Sequence, residues 1–363
     1  MKKIKIGVIF GGCSPEHEIS LLSASNILAA LDLKKYEVTP IGIDKTGKWL
    51  LADKSLPMLD ANHPKTIHLN KKVEHELSLI PGKNTELQCA EAGLQPGQLD
   101  VIFPVLHGPL GEDGTIQGLL QFVGIACVGS GVLSSAVCMD KEMSKCLFKQ
   151  FDIPTPDFLC FRSHENGKID YQKVIEKLGS PVFVKPANAG SSVGTHKVRD
   201  EAGFHNAVAD AFLYDHKILV EQAIVGREIE VAVLGNDNPK VSVPGEAIPN
   251  DEFYTYKAKY EENGVEFVVP AQIPAAVTLV IQDLAKRAFL ALSCQGMARV
   301  DFFVRGNEVY LNEINTIPGF TKSSAYPKLW EASGVSNQEL VDELVQLALQ
   351  AHQKNKKLKR DYH

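Results

Sequence analysis

Residues 309–320 read VYLNEINTIPGF, an apolar strand that runs into a proline–glycine turn. Glu313 and Asn315 stand two apart, so on a pleated strand both project from one face. Bare oxygen ligands on a mostly apolar strand are costly to bury unless something positive meets them. Asp301 lies twelve residues before Glu313, in ARVDFFV, and RGNE (305–308) supplies a turn between the two runs. Such a hairpin can set Asp301 beside Glu313 and Asn315. Three hard oxygen donors, with no histidine or thiolate, suit magnesium rather than zinc, with manganese an acceptable substitute. Magnesium manages with few protein ligands when substrate phosphates complete its shell, so the cluster implies a nucleotide. The alternative for Asp301 is an ion pair with Arg299 or a lysine; the ExN spacing followed by PGF favours the metal.

Other segments point to phosphate. VFVKPANAGSSVG (182–194) is a strand ending in Lys185, followed by a loop of small residues. Consecutive backbone N–H groups in such a loop can form a nest for phosphate oxygens, and Ser191 and Ser192 add hydroxyl donors. A flexible linker is the alternative, but linkers rarely follow a buried strand that ends in lysine. Lys141, in MDKEMSK, is a second candidate contact for phosphate or adenine, although in isolation it reads like any surface lysine. In ILVEQAIVGREIEV (218–231), Glu221 could accept from an adenine amino group and Glu228 could bind ribose hydroxyls, with simple solvation as the alternative.

Around these segments the chain has the organisation of a multi-domain α/β protein. Its 363 residues exceed what one core usually serves. The apolar run at 4–10, the glycine turn and the helical spacing of ISLLSASNILAALD open a doubly wound α/β unit, continued by strands at 36–44, 49–53 and 99–108 and a helix at 115–124. Residues 53–97 are polar and hard to read. The final third carries strands at 229–234, 265–269, 298–304 and 308–314, with helices near 276–292 and 336–352, an α+β pattern. Two near-motifs fail. GIDKTGK (42–48) resembles a phosphate loop, but Trp49 replaces the metal-binding hydroxyl and strands lie on both sides, so it reads as a hairpin turn. GSGVLS (129–134) lacks the third glycine of a dinucleotide fingerprint.

A formal net charge of −6 argues against an electrostatic grip on nucleic acid. The seven cysteines show no CxxC pair and mostly sit in apolar settings, which favours free thiols in a reducing compartment. No apolar run reaches the roughly 20 residues of a membrane helix. The expectation is a cytoplasmic protein with no membrane or nucleic-acid partner.

Taken together, GGCSPEHEIS, PVLHGPLGEDGTIQG, GSGVLSSAVCMDK, VKPANAGSSVG, FYTYKAKY, ARVDFF and NEINTIPGFTKSSAYPKL resemble the ATP-grasp superfamily and, within it, the D-alanine–D-alanine ligase family, from about residue 4 to 350. The resemblance implies a three-domain ATP-grasp fold with an N-terminal doubly wound (pre-ATP-grasp) domain. Its parts would be a substrate-binding domain at 1–129, a central subdomain at 130–219 and a C-terminal subdomain at 220–363 with the magnesium site and a lid. It implies ATP and D-alanine as small-molecule partners, two magnesium ions, an acyl-phosphate intermediate, a role in peptidoglycan precursor synthesis and a homodimer.

Residue by residue, the resemblance places Glu16 on the ammonium of the first substrate, in a hydrogen-bonded trio with Ser191 and Tyr260. His107 lies beside the same substrate, and Ser324 binds the carboxylate of the second. ATP is held by Lys141, Lys185, Ser191, Ser192, Glu221, a backbone contact near Ile224, Glu228 and Lys259. Glu313 bridges the metal ions, with Asp301 on one and Asn315 on the other, and Arg299 with the Gly319 N–H forms an oxyanion hole. The segment EFYTYKAKYEENG (252–264) would be the lid, and its Lys259 and Tyr260 imply an amine nucleophile rather than D-lactate. Arg227, beside Glu228, departs from the family pattern. The competing expectations are a D-alanyl–D-lactate or D-alanyl–D-serine ligase and a non-catalytic ATP-binding regulator.

Overall fold

The apolar run at the start of the chain forms β1 (Ile4–Gly11), in which Ile6, Val8, Ile9 and Phe10 are fully buried. Burial on both faces suits the middle of a parallel sheet. The computed structural model, which describes residues 2–51, 59–63, 66–69, 75–79, 86–89, 97–249 and 265–359, places it there. β1 pairs in parallel with β2 (Tyr36–Ile43), which turns back antiparallel into β3 (Trp49–Leu51). The intervening DKTGK is a hairpin turn as expected: the Asp44 carboxylate accepts from the N–H groups of Thr46 and Lys48 at 2.8 and 3.0 Å. Within 53–97 the backbone forms β4 (Leu59–His63) and β5 (Thr66–Leu69), paired with each other. It also forms β6 (His75–Leu79), β7 (Glu86–Cys89) and β8 (Gly97–Gln98), which extend the sheet beyond β3. On the other side of β1 lie β9 (Val101–Val105) and β10 (Ala126–Cys127), giving the order β10-β9-β1-β2-β3-β6-β7-β8.

Helix α1 (His17–Ala30) buries His17, Ser20, Leu21, Ala24 and Ile27, a three-and-four spacing that lays one face on β1. Then follow α2 (Thr115–Val123), α3 (Val132–Met139) and α4 (Lys141–Gln150), the last capped by the Asp140 carboxylate on the N–H groups of Glu142 and Met143. A second, antiparallel sheet has the order β11-β14-β12-β13. It comprises β11 (Phe158–Arg162), β12 (Val182–Pro186), β13 (His196–Val198) and β14 (Lys217–Gln222), and it packs on α5 (Tyr171–Leu178) and α6 (Glu201–Ala211).

The third sheet contains β15 (Arg227–Gly235), β16 (Lys240–Val241), β17 (Gly245–Pro249), β18 (Val265–Val268), β19 (Gly296–Arg305) and β20 (Glu308–Asn315), in the order β18-β17-β15-β19-β20 with β16 on β15. Helix α7 (Ala275–Ala291) covers one face through Val277, Ile281, Leu284, Ala285 and Ala288. Past β20 the chain reaches the first sheet: Phe320, then Tyr326, Leu329 and Trp330 of α8 (Ala325–Ala332), then Leu340, Val341 and Leu344 of α9 (Asn337–Lys356) complete the core beneath β1 and α1.

One local irregularity decides how the site is built. Leu311 pairs with Phe302 and Glu313 with Asp301, so Asn312 is an extra residue, a bulge in β20. Simple alternation would send residues 309, 311, 313 and 315 to one face. The bulge instead leaves Val309, Leu311 and Ile314 in the core under α7 and turns Glu313 and Asn315 to the opposite face with Arg299 and Asp301. Glu313 and Asn315 do share a face, as the spacing predicts, but not the face of Val309 and Leu311.

Among the described residues no helix is long and apolar enough to cross a membrane. Of the cysteines, Cys13, Cys127, Cys138, Cys146, Cys160 and Cys294 are free thiols; Cys138 and Cys294 are buried and Cys127 packs against the core of the first sheet, so the apolar setting expected of most of them holds for these three. Leu311→Ala, at a fully buried position, is expected to cost about 3 kcal/mol in urea unfolding; a cost near zero would contradict the face assignment made by the bulge.

Candidate active site

On the open face of the third sheet, carboxylates from three neighbouring strands line up. Glu230 on β15 stands opposite Asp301 on β19, and Asp301 stands opposite Glu313 on β20. Like charges directly opposed across strands repel, so cations must lie among them. Arg299 binds both Asp301 oxygens through Nε at 2.7 Å and Nη2 at 2.6 Å, and its Nε is 3.3 Å from Glu230 Oε2. Lys141, the first residue of α4, brings Nζ to 3.8 Å from Glu313 Oε2. Asn315, opposite Arg299, donates from Nδ2 to Asp301 Oδ2 at 3.1 Å. The structure thus gathers Asp301, Glu313 and Asn315, and the alternative Arg299 ion pair is present as well. Glu230 had no signal in the sequence beyond its alternation with Glu228.

This donor set fits a magnesium-like ion. Among the described residues there is no group of three or more His, Cys, Asp or Glu able to cage a metal. Two carboxylates and an amide would leave most of the coordination shell to water and phosphate oxygens, the arrangement magnesium accepts. Softer transition metals would want nitrogen or sulfur ligands.

The loop after β12 lies against this cluster. Lys141 Nζ donates to the Ala189 carbonyl at 2.7 Å, and the Lys141 N–H to the Ala187 carbonyl at 3.0 Å. Ser191 and Ser192 adopt φ of +49° and +58°, a left-handed backbone that non-glycine residues seldom adopt. Strain of this kind gathers at ligand-binding loops. From the same loop the Ser191 hydroxyl donates to Glu16 Oε1, the first pair of the expected trio. Glu16 is 9% exposed and close to Gly108, where a Cβ would stand 2.6 Å from Glu16 Oε2. Lys259, Tyr260 and the proposed lid lie outside the described residues.

Lys185 and Glu221 meet inside the second sheet. Glu221 is opposite Phe183 on β12, so Lys185, two residues further along, shares its face and pairs with Glu221 Oε2. A lysine the sequence did not single out, Lys145, donates to Glu221 Oε1 at 2.9 Å. Ile224 is buried just beyond β14, and Glu228 pairs in register with Ala247 and Phe303. Arg227 is engaged elsewhere: its Nε donates to Glu246 Oε1 at 2.6 Å and its Nη1 to the Gln272 carbonyl at 2.7 Å.

His107 ties the first domain to the turn after β20. Its Nδ1 donates to the Ile317 carbonyl at 3.0 Å, which makes Nε2 the acceptor for the Ser23 hydroxyl at 3.2 Å. Ser23 Oγ in turn accepts the Phe320 N–H at 3.1 Å. Both ring nitrogens are therefore used to hold residues 317–320, which present Gly319. A Cβ on Gly319 would lie 2.8 Å from Ser324 Oγ, so Ser324 lies beside that turn; its hydroxyl accepts the Thr321 N–H at 3.0 Å. Burial pushes the His107 imidazole below its ordinary value, against the pull of the Glu16 carboxylate. Glu112 was also absent from the sequence-based candidates. Its Oε2 accepts the Gly108 N–H at 2.8 Å, and burial, with Glu16 nearby, pushes its carboxyl up to about 8.

Two family models match the chain, one described as D-ala D-ala ligase N-terminus over residues 5–130 and one as D-ala D-ala ligase C-terminus over residues 147–346. A D-alanine--D-alanine ligase of Oceanobacillus iheyensis is 50% identical and covers 99% of this chain and 98% of its own length. The solved structure of the D-alanine-D-alanine ligase from Coxiella burnetii superposes with a TM-score of 0.87 at 40% identity, covering 98% of this chain and 97% of that one. The VanG D-Ala:D-Ser ligase from Enterococcus faecalis gives 0.85 at 35%, covering 96% and 100%. The fold is the ATP-grasp fold of ligases that form carbon–nitrogen bonds with release of ADP. Within that class, the chain belongs to the D-alanine–D-alanine ligase family.

The His107 environment has a consequence for stability. Its folded-state pKa is depressed, so between that value and the unfolded value of about 6.5 the unfolded chain holds the extra proton. The stabilisation is present above about pH 6.5 and is lost as pH falls below it. Thermal midpoints measured from pH 7 to 5 should fall more steeply for the wild type than for His107→Gln; parallel slopes would contradict a buried, neutral His107.

Proposed function

We propose that this protein joins two D-alanines into D-alanyl-D-alanine, coupled to cleavage of ATP to ADP and phosphate. The observation that carries this proposal is the convergence of contacts on one loop. Through Ala189 and Lys141 the loop reaches the Asp301 and Glu313 pair, and through Ser191 it reaches Glu16. A phosphate nest, an acidic strand pair and a carboxylate able to hold an ammonium group thus share one cleft.

In this proposal Glu16 holds the ammonium of the first D-alanine, whose carboxylate takes the γ-phosphoryl group of ATP. Lys141, Lys185 and the N–H groups and hydroxyls at Ser191 and Ser192 hold the phosphates, joined by Lys259. Glu221 accepts from the adenine amino group, the backbone near Ile224 contacts the base and Glu228 takes the ribose. Asp301, Glu313 and Asn315 would hold two magnesium ions, which when bound neutralise charge on the transferring phosphoryl group. The second D-alanine, its carboxylate on Ser324, attacks the acyl phosphate through its amine, and phosphate then leaves the tetrahedral intermediate. Arg299 and the Gly319 N–H face the oxyanion; one such donor is worth about 3 kcal/mol. Arg299 has a second anion in Glu230, so it stays anchored when Asp301 is otherwise engaged. His107 keeps the Gly319 turn in place, and Tyr260 closes the trio with Glu16 and Ser191.

The biological setting that goes with this chemistry is peptidoglycan precursor synthesis, and through it cell shape, in the cytoplasm, by a homodimer. Residues 1–129, 130–219 and 220–363 serve as its substrate, central and C-terminal units.

Purified protein given ATP, magnesium and D-alanine, with D-lactate or D-serine as competitors from pH 6 to 9, should release phosphate and yield mainly D-alanyl-D-alanine. Dominant ester near neutrality, or dominant D-alanyl-D-serine, would overturn the substrate assignment. Absence of phosphate release would favour a non-catalytic nucleotide-binding protein. Glu313→Gln should lower kcat on the order of 100-fold or more, the equivalent of several kcal/mol of charge stabilisation, with its thermal midpoint preserved; near-normal turnover would remove Glu313 from the site.

A further inference from the structure

Helix α4 carries three lysines at four-residue spacing, of which Lys149 pairs with the exposed Asp157 while Lys141 and Lys145 lie toward the cleft side of the same face. Lys141 reaches the cleft, whereas Lys145 is 0% exposed. An ammonium group so deeply buried persists only when paired and hydrogen-bonded. Its Nζ donates to Glu221 Oε1 at 2.9 Å and to Thr155 Oγ1 at 3.1 Å. The other oxygen of Glu221 is taken by Lys185, at the end of β12 and close to the cleft. One buried carboxylate is thus shared by two lysines of different character: Lys145 is enclosed and fixed, and Lys185 is at the edge.

We propose that Lys145 is a positioning residue for the nucleotide: the permanent counter-ion of Glu221, which allows Lys185 to leave Glu221 for a phosphate without stranding a buried anion. This rests on the placement of Lys185 and Glu221 in the ATP site. If Lys185 were the only partner, each binding event would have to strip a buried carboxylate of its cation, and breaking a buried pair in that way is strongly unfavourable. With Lys145 in place, one oxygen of Glu221 stays bonded and the other is released to face the base. There it can accept from an exocyclic amine, and it repels an oxo group at the same position, so Lys145 also supports preference for adenine over guanine nucleotides. The electrostatics agree with this division. Burial would raise Glu221, yet Lys145 first and Lys185 second overcome it and hold the carboxyl below its ordinary value. Burial lowers Lys145 itself to about 8, against the pull of Glu221.

The test compares the wild type with Lys145→Met, which fills similar space without charge, and with Lys145→Met combined with Glu221→Gln, which leaves no buried charge to compensate. The measurements are KM for ATP and for GTP at saturating D-alanine, KM for D-alanine, kcat, and ADP affinity by calorimetry. Lys145→Met should raise KM for ATP at least tenfold and weaken ADP to a similar degree, with KM for D-alanine changed less than twofold. The double variant should recover part of the ADP affinity and lose the preference for ATP over GTP. A folded Lys145→Met with unchanged KM for ATP and unchanged ADP affinity, even with a lowered thermal midpoint, would reduce Lys145 to a structural role and overturn the proposal. Should Lys145→Met not fold, the double variant set against Glu221→Gln alone decides: with no buried anion to compensate, removing Lys145 should change ADP affinity less than twofold, and a further tenfold loss would overturn the proposal. A wild type that forms no ADP with D-alanine would instead defeat the assigned reaction, so the two failures are distinguishable.

Discussion

The repulsion among Glu230, Asp301 and Glu313 is the constraint around which the rest of the site is arranged. Three adjacent strands place these carboxylates in register on one face, a disposition a sheet tolerates only if positive charge is supplied. Arg299 and Lys141 supply it here. Both are side chains with a second anchor, Glu230 for Arg299 and the Ala189 carbonyl for Lys141. Each can therefore yield its carboxylate to another cation and remain in place. A sheet face that is acidic by construction and guarded by tethered cations is suited to receive a metal-bound polyphosphate.

The same economy recurs at the other contacts between the sheets. Glu221 has two lysines where one would neutralise it. His107 spends both ring nitrogens on Ser23 and the Ile317 carbonyl, so its role in the folded protein is to lock the turn carrying Gly319 against α1. That turn leads directly into Phe320, Tyr326 and Trp330, which are built into the core of the first sheet. The strand bearing the acidic pair is thereby joined to the domain bearing Glu16 by packing as well as by hydrogen bonds.

Much of this was legible in the residues. The buried strands β1 and β9 announce themselves as apolar runs, the hairpin of β19 and β20 follows from RGNE, and Asp301 does face Glu313. The family resemblance carried the roles that no spacing could supply. What stayed hidden had physical reasons. A bulge changes side-chain parity with a single residue, and the only hint was a residue of low β-propensity, Asn312, inside an apolar strand. Lys145 sits on a helix where a lysine defaults to solvent, and only tertiary packing shows it enclosed. Glu112 and Glu230 are carboxylates among many, distinguished by neighbours distant in the chain. Strands β4 to β8 arise from polar sequence, where alternation is too weak to register.

The most direct test of the acidic-pair account is calorimetric titration with a non-hydrolysable ATP analogue, with and without magnesium, on the wild type and on Asp301→Asn. Magnesium should tighten binding to the wild type at least tenfold, and most of that gain should disappear in Asp301→Asn. Equal affinity with and without magnesium in the wild type, or an undiminished magnesium effect in the variant, would contradict the claim that these strands receive a cation together with the nucleotide's phosphates.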